Sequence, residues 1–121
     1  MDMTWRILVV DDEAVTGLMF KRVLELRLAC TVDTAHNGQE ALDKARALHP
    51  DLMLLDIRMP GMDGFQVCRA LKSDPATADT KVVYVSGNAQ PEGPLEGAQD
   101  YLIKPVPAAV LCDTVTRVLR G

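Results

Sequence analysis

The sequence predicts an open, doubly wound α/β fold: one domain over residues 1–121, with a five-stranded parallel sheet in the middle layer of three. Three features lead there. Short runs such as "ILVV" and "LMLL" are apolar at every position, so they belong to strands covered on both faces. Segments with helical apolar spacing separate these runs, as crossover helices do between parallel strands. Finally, the runs close on polar, chemically capable side chains, and a parallel sheet gathers all such ends at one edge.

Ile7 to Val10 is the first buried strand. Val15, Leu18, Met19, Val23 and Leu26 then recur near helical spacing and give a first helix. "CTVDTA" (Cys30 to Ala35) reads as a short strand, and "HNG" (His36 to Gly38) as the turn after it. Ala41, Leu42, Ala45 and Leu48 mark one face of a second helix, which His49-Pro50 ends because the residue before proline disfavours helical backbone. "DLMLLD" (Asp51 to Asp56) is the second apolar run closed by an acid. "RMPGMDG" (Arg58 to Gly64) is punctuated as a loop, with Met59-Pro60 shaping it and Gly64 allowing a compact helix start. Val67, Cys68 and Leu71 face one side of a third helix. "TKVVYVSG" (Thr80 to Gly87) and "YLIKP" (Tyr101 to Pro105) are the last strands, and Leu111, Thr114, Val115 and Val118 stripe the final helix. Five strands and about five helices fit the 121 residues.

Composition is that of an ordinary globular chain, 48% apolar and 25% charged. The net charge of -4 and the scattered basic residues argue against a nucleic-acid surface. Cys30, Cys68 and Cys112 are far apart and form no CxxC pair, so they read as small core residues rather than a disulfide or zinc framework. No apolar run reaches membrane-span length and no signal-peptide core opens the chain, so the expected setting is cytoplasmic. His36 sits on a turn and His49 at a helix end, neither placed for catalysis.

The strand-closing residues are Asp11 and Asp12, then Asp56, Ser86 and Lys104. Acids brought together repel one another and are costly to bury unpaired, so positive charge belongs among them. Lys104 supplies one such charge, and a hard, oxygen-loving dication supplies another. Mg²⁺ suits the site best, since it keeps several waters and takes only one or two carboxylates. A metal, a lysine and a hydroxyl around one carboxylate are also what a phosphoryl group needs during transfer, and a carboxylate can be the acceptor. Taken singly, each residue has a plainer reading: Asp11 or Asp12 as a helix cap, Ser86 as nothing in particular, Lys104-Pro105 as a strand exit. The conjunction is what points to Mg²⁺-dependent phosphoryl chemistry.

The stretches "ILVVDDE", "DLMLLDIRMPGMDGF", "VVYVSG" and "DYLIKP" resemble the receiver domains of two-component response regulators, including the single-domain chemotaxis type. With the helices between them they cover nearly the whole chain. The resemblance implies a flavodoxin-like receiver topology, with Asp56 as phosphoacceptor and Asp11 and Asp12 as the acidic pair that holds Mg²⁺. Arg58 would lend a backbone carbonyl to the metal. It further implies that Ser86 moves to meet the phosphate, that Lys104 pairs with it, and that Tyr101 is the aromatic switch position. The side chains of Arg58 and Asn88 would tune hydrolysis. The implied reaction takes a phosphoryl group from a sensor histidine kinase or histidine phosphotransfer protein and passes a signal to a downstream target or fused output domain. Such a domain catalyses at most its own phosphorylation and dephosphorylation.

One segment departs from the family pattern. Seventeen residues separate Ser86 from Lys104, about one helical turn fewer than the family usually has. "NAQPEGPLEGAQD" (Asn88 to Asp100) carries two prolines and two glycines, so the fourth helix is expected to be shortened or irregular. That helix often contributes to the family's output or dimer surface, which motivates a second hypothesis: a degenerate receiver working only as a protein-interaction module. A third, a Mg²⁺-dependent phosphatase on a similar sheet, is disfavoured because Arg58 stands where that class carries a second acid, and no length remains for a substrate cap.

Overall fold

The computed structural model describes residues 4–87, 95 and 97–121. Its elements run β1 (Trp5–Val10), α1 (Ala14–Arg27), β2 (Cys30–Ala35), α2 (Gly38–Leu48), β3 (Leu52–Asp56), α3 (Gly64–Ser73), β4 (Lys81–Ser86), β5 (Asp100–Ile103) and α4 (Ala108–Arg120). All strand pairs are parallel, in the order β2-β1-β3-β4-β5, which is the flavodoxin-like arrangement with its switch point between β1 and β3. Four helices lie among the described residues. The shortened fourth helix expected within 88–100 falls largely outside them. Of that stretch, the Ala98 amide donates to the Leu95 carbonyl and the Gln99 amide to the Val82 carbonyl.

Alternation along each strand divides the apolar runs between two cores. Ile7, Val9, Leu52, Leu54, Val83 and Val85 face one side, where Phe20 and Leu24 of α1 and Leu111, Val115 and Val118 of α4 cover them. Leu8, Val10, Met53, Leu55, Val82 and Tyr84 face the other, against Ala41, Leu42 and Ala45 of α2 and Val67, Cys68 and Leu71 of α3. Because both sheet faces are buried, the strands need apolar residues at consecutive positions, as the sequence shows. Cys68 and Cys112 are buried and Cys30 half-buried, each a free thiol.

Local chemistry sets several helix ends. The Asn37 side chain accepts the Glu40 amide to start α2, and His49 closes it with φ 49° while its amide donates to the Ala45 carbonyl. Asp63 and Gln66 form a capping box at the head of α3.

In α1 the residues whose spacing marks the helix are not the ones that bury it. Val15, Leu18, Met19 and Leu26 are 70%, 59%, 62% and 80% exposed, and only Val23 of that set packs partly against a core. The buried residues are Gly17, Phe20 and Leu24, on the opposite side. A helix apolar on two sides gives periodicity no means of choosing the inner one.

Strand β2 forms one edge of the sheet, and two α1 side chains seal it. The Val32 amide donates to Glu25 Oε2, and Lys21 Nζ donates to the Val32 carbonyl at 2.7 Å. Among the described residues, no helix is long and apolar enough to cross a membrane.

Candidate functional site

Strand register brings the site together. Val10 lies opposite Leu55, which places Asp11 level with Asp56 across the β1–β3 pair. Asp56 lies opposite Val85, so Ser86 stands one residue beyond it on β4. Ser86 lies opposite Ile103, and the Lys104 amide donates to the Ser86 carbonyl at 2.7 Å. The carboxyl ends of β1, β3, β4 and β5 therefore converge, as expected of such a sheet.

Carboxylate oxygens of Asp11, Asp12 and Asp56 lie within 4.8 Å of one another. Asp11 and Asp56 are buried, at 2% and 6% exposure, while Asp12 faces solvent. The positive charge these acids demand is Lys104, whose Nζ lies 2.7 Å from Asp11 Oδ2 and 3.6 Å from Asp56 Oδ2. Lys104 thus hydrogen-bonds Asp11 and attracts Asp56 without a short contact to it.

The remaining bonds fix the loops. Asp11 Oδ1 accepts the Glu13 amide at 2.9 Å, so Asp11 orders the entry to α1 although the N-cap residue itself is Glu13. Asp56 Oδ1 accepts the Arg58 amide at 3.2 Å, which turns the chain back after β3. Gly64 packs directly beneath: a Cβ there would lie 2.6 Å from the Asp56 carbonyl oxygen, so the close approach requires glycine.

Burial raises the Asp56 carboxyl to about 6. Lys104 opposes this rise, the Asp11 charge adds to it, the Arg58 amide opposes it, and Asp12 adds a little more. Burial by itself would lower the Lys104 ammonium, but the Asp11 hydrogen bond and the charges of Asp56, Asp11 and Glu13 outweigh it and hold the group above its ordinary value. One cation thus serves two buried carboxylates and leaves Asp56 short of compensation. Hard oxygen donors at this spacing, with unbalanced negative charge, can hold a divalent cation.

The other residues singled out by sequence stand in different relations to this cluster. Ser86 is 5% exposed at the end of β4. The Arg58 side chain is exposed beside the site. Tyr101 is half-buried on β5 and packs against the core that α2 and α3 cover. Asn88 lies outside the described residues. His36 and His49 are away from the acids, pairing with Glu40 and the Ala76 carbonyl respectively. Sequence reasoning missed the role of Glu13, whose only signal was its place in the run of three acids.

The chain is similar to known proteins in sequence and in fold. The model of the response regulator receiver domain matches residues 7–116. Response regulator PleD of Caulobacter vibrioides is 41% identical over 125 residues, an alignment covering 98% of this chain and 27% of PleD. The chain therefore spans about a quarter of that relative's length. Protein PilH of Pseudomonas aeruginosa is 38% identical over 120 residues, covering 96% of this chain and 98% of PilH. The structure of chemotaxis protein CheY4 of Vibrio cholerae superposes with a TM-score of 0.88 at 30% identity, covering 95% of this chain and 98% of CheY4.

Proposed function

The chain belongs to the response regulator receiver family, and from that premise we propose that it is a phosphoacceptor switch, taking a phosphoryl group onto Asp56 with the help of Mg²⁺. The observation that carries this reading is the cluster of three carboxylates within 4.8 Å, bridged by Lys104 at the carboxyl edge of the sheet. Asp11, Asp12 and Asp56 would hold the metal together with the Arg58 backbone carbonyl. When bound, Mg²⁺ neutralises charge on the phosphoryl oxygens.

This chain's own groups do the rest. With a carboxyl at about 6, Asp56 is mostly ionised at neutral pH, so an oxygen nucleophile is ready. An Asp56 oxygen bonds to phosphorus as the phosphorus–nitrogen bond of a phosphohistidine breaks, and the imidazole leaves with the electron pair and gains a proton from water. Lys104 then pairs with the phosphoryl oxygens, and Ser86 donates a hydroxyl hydrogen bond to them. Hydrolysis reverses the state: a water oxygen attacks phosphorus, the bond to Asp56 breaks, and the carboxylate returns. By the family resemblance, Arg58 and Asn88 tune that hydrolysis and Tyr101 reports the switched state.

The donor in this reading is a sensor histidine kinase or histidine phosphotransfer protein, in the cytoplasm. Residues 1–121 act as one unit, and the phosphorylated surface is read by a downstream protein or an output domain. The test is intact-protein mass after incubation with Mg²⁺ and a small acyl or amido phosphate, beside an Asp56→Asn control. A gain of one phosphoryl group is expected, lost when EDTA removes the metal and absent in Asp56→Asn. No gain at any time point, including the earliest, would overturn the reading in favour of a phosphorylation-independent interaction module.

A further inference from the structure

The loop between β3 and α3 carries Arg58, whose backbone carbonyl the phosphoacceptor reading gives to the metal. Hydrogen bonds hold both ends of this loop. The Arg58 amide donates to Asp56 Oδ1 at 3.2 Å, the Gly64 amide donates to the Ile57 carbonyl at 2.8 Å, and the Asp63–Gln66 capping box fixes the exit into α3. Between these ends the ring of Pro60 sets its φ, and Gly61 takes φ 77°, the backbone that a reversal centred on Pro-Gly requires. The chain doubles back there, with buried Met59 before the reversal and half-buried Met62 after it.

The middle of the loop is braced from outside, by the head of α2. Buried Gly38 follows the Asn37 cap, and a Cβ on it would lie 2.8 Å from Met62 Cβ and 3.0 Å from both Met62 Sδ and Val67 Cγ2. Carbon atoms in contact keep about 3.5–4.0 Å, so a single methyl group at position 38 demands a displacement of about 1 Å. Helix α2 resists it, because the Asn37 side chain holds the Glu40 amide and Ala41 and Leu42 are packed into the core. Val67 is fully buried on α3. What gives is the loop, and since its ends are tied the movement falls on its middle.

A shift of that size matters to the two hard dications unequally. Mg²⁺ demands near-ideal octahedral geometry at about 2.0–2.1 Å, whereas Ca²⁺ accepts longer and more variable contacts.

We propose that Gly38 and Met62 are positioning residues for the metal site: their close contact sets the Arg58 carbonyl and thereby favours Mg²⁺ over Ca²⁺. The inference rests on the phosphoacceptor reading, in particular on its use of that carbonyl.

The test measures Mg²⁺ and Ca²⁺ dissociation constants on the full chain by NMR titration, through the amides of Arg58 and Met59, with no phosphodonor present. Gly38→Ala is expected to weaken Mg²⁺ about tenfold, as loss of a group supporting a metal ligand does, and Ca²⁺ by about threefold or less. Met62→Gly removes the same contact from the loop side at a half-buried position and should act alike, so it serves if Gly38→Ala does not fold. Combining the two puts one Cβ back between the segments and should recover Mg²⁺ affinity to within about threefold of wild type. Gly17→Ala is the control: its Cβ would lie 3.7 Å from Thr34 Cγ2, an ordinary contact, and both constants should stay as they are. Unchanged Mg²⁺ affinity in the single variants, equal losses for the two cations, or a double variant no better than either single would each overturn the proposal. A wild type that takes up no Mg²⁺ at these amides would overturn the phosphoacceptor reading and this inference with it. Wild-type binding with indifferent variants would overturn this inference alone.

Discussion

Asp56 shows how much one residue is asked to do. Its carboxyl at about 6 lies above the ordinary 3.8, so the folded protein binds that proton more tightly than the unfolded chain. Stability contributed by this group is therefore lost as pH rises from about 4 to 6, and above that range the metal-free fold carries the full cost, on the order of 3 kcal/mol. Asp56→Asn removes the titrating charge while keeping the shape. In metal-free urea unfolding the variant should exceed the wild type by about 2–3 kcal/mol at pH 7.5. The gap should shrink towards pH 4. A gap that did not vary with pH would show that Lys104 and the Arg58 amide already compensate the carboxylate fully.

The helices and strands raise a different question, which is how each finds its face. On α1, Leu24 is fully buried and Leu26 is 80% exposed, although the two are chemically identical and two residues apart. Leu24→Ala should cost about 2–5 kcal/mol in equilibrium unfolding. Leu26→Ala should stay within about 0.5 kcal/mol, so comparable losses at both positions would mean that the wrong face had been assigned. The head of α3 depends on contact distance. Gly64→Ala forces a Cβ to 2.6 Å from the Asp56 carbonyl oxygen and 2.8 Å from Ile57 Cα, both backbone atoms that cannot swing aside. A loss of about 2 kcal/mol or more is expected. Because the clash is with Asp56 itself, phosphoryl uptake should slow as well, measurable by the same mass assay at early times. At the β2 edge, the Val32 amide and carbonyl, which could help template another strand, are instead satisfied by Glu25 and Lys21.

For the molecule as a whole, the site couples chemistry to the fold. The acids close the neighbouring strands β1 and β3, about 45 residues apart in sequence, so a cation bound among them ties two segments remote in the chain together. Any ligand that binds only the folded chain stabilises it by mass action, about 2.7 kcal/mol at a hundredfold excess over Kd. Mg²⁺ should accordingly raise the urea midpoint of the wild type. The rise should disappear on adding EDTA and in an Asp11→Asn, Asp12→Asn double variant. An equal rise in that variant would place the cation elsewhere.

The architecture was legible in the sequence because burial of both sheet faces leaves uninterrupted apolar runs such as Leu52 to Leu55, and because α2, α3 and α4 each carry one apolar stripe and bury it. The residues of the acid cluster were legible because each closes such a run. Pairing within the cluster was not. That Lys104 hydrogen-bonds Asp11 and stands 3.6 Å from Asp56 follows from register across four strands, which no local pattern encodes. The inner face of α1 was not legible either, since Phe20 and Leu24 compete with Val15, Leu18, Met19 and Leu26 on equal apolar terms. Local periodicity can report that a helix is apolar on two sides, but only packing against the sheet decides which side is buried.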